Sequence, residues 1–169
     1  MELSSLNSLT TVTFKGLHNQ EISYAELFSG KRILIFSLPL VLSPRSVEHL
    51  IQYRDNCKLI VESGIDDVYC VSSWPYIIPV VEECSKEIRP LVDHTAKFTE
   101  YLKEYAGSSV NIDELVRRWQ YVAIINDGKI EKMFNNTLKA NMSLSVYNNP
   151  LYQYYRLDTN TIVKYLVSC

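Results

Sequence analysis

Hydrophobic residues fall along this chain in two kinds of run. The first kind is unbroken: Ile33, Leu34, Ile35 and Phe36, then Val68, Tyr69, Cys70 and Val71, then Tyr121, Val122, Ala123, Ile124 and Ile125. A strand covered on both faces of its sheet reads this way, because neither set of alternate side chains meets water. The second kind is spaced. Val47, Leu50, Ile51, Leu59 and Ile60 fit one long helix over residues 44–63, with Gly64 placed to cap its C-terminus. Ile77, Ile78, Val80 and Val81 fit another, opening at Trp74 and Pro75 and reaching about residue 86. Between these, residues 11–15 alternate as a strand with a hairpin partner in 18–23. Residues 24–28 make one helical turn before the first buried strand. A short strand at 89–92 leads into a helix over 95–105, a turn at 107–110, and a short helix or ordered loop at 111–118. Asp127 and Gly128 separate two apolar runs, the strongest hairpin signal in the chain. Residues 135–156 are polar and tyrosine-rich without a period, and a last helix runs from Asp158, an N-cap, to about Val167.

Strand and helix thus alternate three times, followed by a hairpin and a helix. That order predicts an α/β fold with a central mixed β-sheet flanked by helices on both faces, the outline of a thioredoxin-like domain. With neither repeats nor a linker, residues 1–169 are expected to form a single domain.

Composition narrows the function. The chain has 169 residues, 47% of them hydrophobic, enough for a substantial core. A net charge of -2 and a pI near 5.9 supply no basic excess for phosphates, so no nucleic-acid partner is expected. No apolar run spans a bilayer, and the first residues lack the basic head and apolar centre of a signal peptide, so a cytoplasmic protein with no membrane partner is expected. Cys57, Cys70, Cys84 and Cys169 form no C-x-x-C and have no histidine at ligand spacing, which argues against zinc or a disulfide framework. The glycines are dispersed and fit turns, so no phosphate cradle and no cofactor is expected. The glycosylation patterns at Asn135 and Asn141 read as chance.

The chemistry is expected in the loop after the first buried strand. Pro39 ends the strand, Ser43 is a good N-cap, and Pro44 suits the first helical position. The chain would there present a helix N-terminus whose free N–H groups and partial positive charge attract anions and lower a thiol's pKa. Arg45, in that first turn, is either surface chemistry or a device for holding an anion. Ser46, Glu48 and His49 invite a nucleophile-base reading, but one helix rarely supplies such a set, and a helix-surface placement is expected. His18 and His94 read as surface residues or as makers of local hydrogen bonds, and Tyr147, Tyr152, Tyr154 and Tyr155 as a binding surface or ordinary loop packing.

Taken in order, several segments resemble the peroxiredoxins of the peroxiredoxin-5 class, also called redoxins. They are Ala25, Glu26, Leu27 and Phe28 with Gly30, Lys31 and Arg32; the loop from Phe36 through Pro39 to Ser43 and Pro44; and Cys70, Val71 and Ser72. Lys97, Phe98 and Thr99, then Arg117 and Tyr121, the hairpin at Asn126, Asp127 and Gly128, and the closing helix from Asp158 continue the match. The resemblance implies the thioredoxin-like fold, a homodimer, and reduction of hydroperoxides by a cysteine in a P-x-x-x-[TS]-P-x-C motif. Pro39, Ser43 and Pro44 match that motif. With no gap, Ser46 stands in the cysteine's place; if Ser46 to Leu50 match the residues that follow it, the cysteine is deleted. The family's R-x-x-R-[YF] segment reads Arg117, Arg118, Trp119, Gln120 and Tyr121 here, so Gln120 replaces the second, peroxide-polarising arginine. The expectation is a non-catalytic homologue acting as a binding or interaction module, toward a protein partner or a small anion at the helix N-terminus. The alternative is an active hydroperoxide reductase using a relocated cysteine. Cys70 reads as buried and inert, Cys57 and Cys84 as packing residues, and Cys169 as accessible but not activated.

Overall fold

A computed structural model describes residues 9, 11–38, 44–135 and 159–168, with the backbone alone at 44–46. In chain order the elements are β1 (Thr13–Lys15), β2 (Glu21–Ser23), α1 (Tyr24–Phe28), β3 (Arg32–Ser37), α2 (Pro44–Glu62), β4 (Asp67–Ser72) and α3 (Ile77–Cys84). They continue with β5 (Ile88–Val92), α4 (Lys97–Ala106), α5 (Ile112–Arg118), β6 (Tyr121–Asn126), β7 (Lys129–Asn135) and α6 (Thr159–Val167). The seven strands form one mixed sheet in the order β2-β1-β5-β4-β3-β6-β7. β3, β4 and β5 run parallel, while β6 pairs antiparallel with β3 and β1 antiparallel with β5. This is the expected thioredoxin-like α/β arrangement.

The unbroken apolar runs are needed because both faces are covered. Successive strand side chains point to opposite sides, so Ile33 and Ile35 join Phe28 of α1, Phe98 and Leu102 of α4 and Leu115 of α5 in one core layer. Leu34 and Phe36 join Leu50, Tyr53 and Ile60 of α2, Val81 of α3 and Ile162 of α6 in the other. A one-residue slip of β3 would exchange its entire set of side chains between the layers. The first layer is strongly aromatic, with Phe14 against Phe98 at 5.1 Å between centroids and Tyr24 against Phe28 at 4.5 Å.

Three helix boundaries differ from expectation, each for a local reason. Before α3, the N–H groups of Ile77 and Ile78 donate to the carbonyls of Trp74 and Pro75, a tighter winding than the α-helix, so the regular helix opens at Ile77. It closes at Cys84 because the Ser85 hydroxyl accepts from the N–H groups of Glu87 and Ile88 and turns the chain into β5. α4 begins at Lys97, not residue 95, because Ala96 is left-handed (φ 58°) and Asp93 supplies the acceptors for the first turn. Gly64 ends the turn after α2 as expected: its φ is 102°, and a Cβ there would lie 3.4 Å from the Arg32 guanidinium. Asp127 and Gly128 both have positive φ, as the predicted hairpin turn requires.

Candidate functional site

Parallel strands place their carboxyl ends together, and in open α/β sheets sites gather at that edge. Here it is also where buried polar side chains collect. Among the described residues these are Ser37, His49, Ser72, Asp93, Thr99, Gln120 and Thr159. Ser37 and Ser72 end β3 and β4, Asp93 follows β5, Gln120 precedes β6, Thr99 packs on Asp93, and His49 lies near the start of α2. Only Thr159, at the start of α6, lies elsewhere.

Hydrogen bonds fix the edge. The Ser37 hydroxyl donates to the Trp119 carbonyl at 3.0 Å and accepts from the Tyr121 N–H at 2.9 Å, clasping both neighbours of Gln120. The antiparallel register, with Phe36 opposite Val122, places Gln120 opposite Leu38, the last residue described before the loop. Period two puts Gln120 on the α2 side of the sheet, with Val122 and Leu38. On that side the Phe36 ring stacks on Tyr53 at 4.1 Å, and His49 meets both edge-on. His49 is therefore part of the core and not of the helix surface, while Glu48 is exposed. The inward stripe of α2 includes His49 because it stands one turn before Tyr53, beside Leu50.

On the other side, the Asp93 carboxylate accepts from the N–H groups of Phe98 and Thr99, at 3.3 and 2.9 Å, and from the Thr99 hydroxyl at 2.8 Å. Burial pushes its carboxyl above the usual range, against these hydrogen bonds and nearby His94. Burial likewise raises the Tyr121 phenol, with Asp93 and Cys70 adding to the effect. A cavity of about 20 Å³, water-sized, lies among Ser37, Ser72, Asp93, Thr99 and Tyr121. The sequence reading missed Ser37 and Asp93. The signal available was that β3 and β4 both end on serine after unbroken apolar runs, and that an aspartate stands just before a helix.

Of the predicted site residues, Pro39 and Ser43 lie outside the described residues, as do Cys169, Asp158 and the tyrosines of residues 147–155. Pro44, Arg45 and Ser46 occupy the first turn of α2. Arg117 does not join them: it is exposed in the last turn of α5. Arg118 pairs with Glu114 one turn back at 3.5 Å.

A family profile described as Redoxin matches residues 5–151. The chain belongs to the Redoxin family. Among curated relatives, the hybrid peroxiredoxin hyPrx5 of Haemophilus influenzae is 27% identical over 98% of this chain and 66% of its own length. Peroxiredoxin sll1621 of Synechocystis is 33% identical over 64% of this chain and 59% of its own. The chain thus spans somewhat less than two thirds of these curated relatives. Among solved structures, reduced Prx3 of Vibrio vulnificus in complex with H2O2 superposes with a TM-score of 0.67 at 22% identity, covering 93% of this chain and 91% of that one. Peroxiredoxin 5 of Alvinella pompejana gives 0.59 at 18% identity over 87% and 94%. These likenesses establish the peroxiredoxin fold.

Within this redoxin the thiols are placed by packing. Cys70 is fully buried in β4, and burial raises its pKa well above that of a free thiol, with Cys84 adding. Cys57 is pushed up to about 11, first by burial and then by Glu87. Cys84 is half-buried at the end of α3, with the Arg54 guanidinium 4.0 Å from its sulfur. Among the described residues no group of three His, Cys, Asp or Glu could hold a metal ion, and no helix is long and apolar enough to cross a membrane.

Proposed function

We propose that this redoxin-domain protein keeps the frame of a peroxiredoxin site without its peroxidase chemistry and serves as a binding or interaction module. The observation that supports this reading is what stands at the two motif positions. The first turn of α2 holds Ser46, and the position aligned with the family's second arginine is Gln120, a neutral residue with no solvent exposure. A serine hydroxyl neither ionises near neutral pH nor passes through a sulfenic acid. A buried glutamine offers hydrogen bonds but no charge to steady an anionic nucleophile. The helix N-terminus, Arg45 in its first turn, and a homodimeric surface would then serve a small anion or a protein partner, in the cytoplasm.

The test is to mix the reduced protein with hydrogen peroxide and an alkyl hydroperoxide while following thiol loss and adduct mass. Slow oxidation without a dominant site is expected. Ser46→Cys with Gln120→Arg should bring rapid, stoichiometric oxidation at the new cysteine, and Ser46→Cys alone a smaller gain. Rapid oxidation of one native cysteine in the unmodified protein would overturn the reading. It would favour an active hydroperoxide reductase with a relocated thiol, for which the Arg54 contact makes Cys84 the first cysteine to map.

A further inference from the structure

We infer that this chain has a second ligand site, at the opposite end of the sheet from the redoxin loop, for a small carboxylate with an apolar body. β1 meets β5 through one residue pair, Lys15 with Val92, before turning back through residues 16–20. Continued pairing would have covered residues 88–91 of β5; instead a cleft of about 520 Å³ opens between that turn and the strand. That volume is in the range of small-molecule sites. Its apolar lining includes Leu17, Ile22, Tyr69 and Leu91.

The polar groups select the ligand. The Asp93 N–H donates to the Ser72 carbonyl, so odd residues of β5 face β4 and the even ones face the cleft. The Ile88 N–H is already taken by the Ser85 hydroxyl at 3.3 Å, and Pro90 has no N–H. The strand thus shows the cleft carbonyl acceptors at 88 and 90 but no ladder donor. An added peptide strand would find half its hydrogen bonds missing, which favours a small molecule over β-augmentation. Lys86, Arg89 and His18 line the cleft, and Glu82 is the one carboxylate among its lining residues. The Arg89 side chain is 62% exposed, and its contact with Asp67 is long at 4.0 Å, while Lys31 reaches the other Asp67 oxygen at 3.5 Å. Its guanidinium is therefore available to grip a carboxylate. The fitting ligand has one carboxylate, an apolar chain, and an N–H or hydroxyl donor for the β5 carbonyls.

The probe is N-octanoylglycine, titrated into the ¹⁵N-labelled full chain and followed by amide shifts, beside its methyl ester and an extended apolar heptapeptide. Saturable shifts confined to residues 16–22, 69 and 82–91 are expected, with the ester at least tenfold weaker. Arg89→Glu with Lys86→Glu, both at exposed positions and checked for an unchanged spectrum elsewhere, should weaken the acid at least tenfold. Dispersed or unsaturable shifts, equal binding of the ester, indifference to charge reversal, or preferential binding of the heptapeptide would each overturn the proposal.

Discussion

At the carboxyl edge of the parallel strands, Ser37, Ser72, Asp93 and Gln120 are buried among backbone groups, whereas at the amino edge Lys31, Arg32, Asp67 and Glu131 meet as ion pairs within reach of water. There Arg32 grips Glu131 in a two-pronged contact at 2.7 and 3.0 Å, and Asn126 and the Tyr165 hydroxyl donate to the same carboxylate at 3.1 Å. The amino edge is closed by turns as well: Gly30 donates to the Asp127 carboxylate at 2.7 Å and the Tyr24 hydroxyl to the Gly128 carbonyl at 2.9 Å. One end is a buried polar cluster that must stay bonded; the other is an exposed network whose members can lose a partner to solvent. A fold that needed only stability could have filled the first end with apolar side chains, since buried polar groups gain little net energy even when satisfied. Their presence at the carboxyl edge, where β3 leads into the redoxin loop, is what makes that end the candidate site.

The contrast predicts unequal costs for similar substitutions. The largest should come from Asp93→Ala, which strands two buried N–H groups and a hydroxyl and removes the acceptors at the start of α4. About 2–4 kcal/mol is expected in urea unfolding, and a loss below about 1 kcal/mol would break the comparison. Ser37→Ala should follow, at about 1–2 kcal/mol, because it orphans the Trp119 carbonyl and the Tyr121 N–H. Faster amide exchange at Tyr121 would tie that loss to the clasp and not to general loosening.

The same contrast explains what could be read from the chain. The parallel strands and the hairpin were legible because unbroken apolar runs fit only doubly covered strands and because Asp127 and Gly128 fit their turn. The start of α2 was legible from Pro44, which suits the first helical position. The buried clasp was not, since the partners of Ser37 stand 82 and 84 residues away, and nothing local distinguishes a serine that clasps a distant strand from one facing water. His49 was misplaced on the helix surface because a polar ring beside an apolar stripe gives no sign of which side it joins. The cleft beside β5 depends on β1 parting from it after one pair, a tertiary fact without local trace.

The smallest effects should sharpen the comparison through pH. Burial raises the Asp93 carboxyl in the folded state, so its contribution is complete below the pKa of an unfolded aspartate and is lost as pH rises through the folded value. The Arg32 hydrogen bonds lower Glu131, so its contribution is complete above the pKa of an unfolded glutamate and is lost as pH falls through the folded value. Asp93→Asn should therefore cost most in acid and less toward neutrality. Glu131→Gln should cost up to about 1 kcal/mol near neutrality, as a partly exposed pair allows, and progressively less in acid. Lys31→Ala, which removes one half-exposed partner of Asp67, should stay within about 0.5 kcal/mol at either pH. Urea midpoints of the three variants against the unmodified protein, taken from pH 3 to pH 7, test the signs directly. Parallel slopes for Asp93→Asn and Glu131→Gln would mean that the two ends hold their carboxylates in the same way, and the distinction between a buried edge and an exposed one would fail.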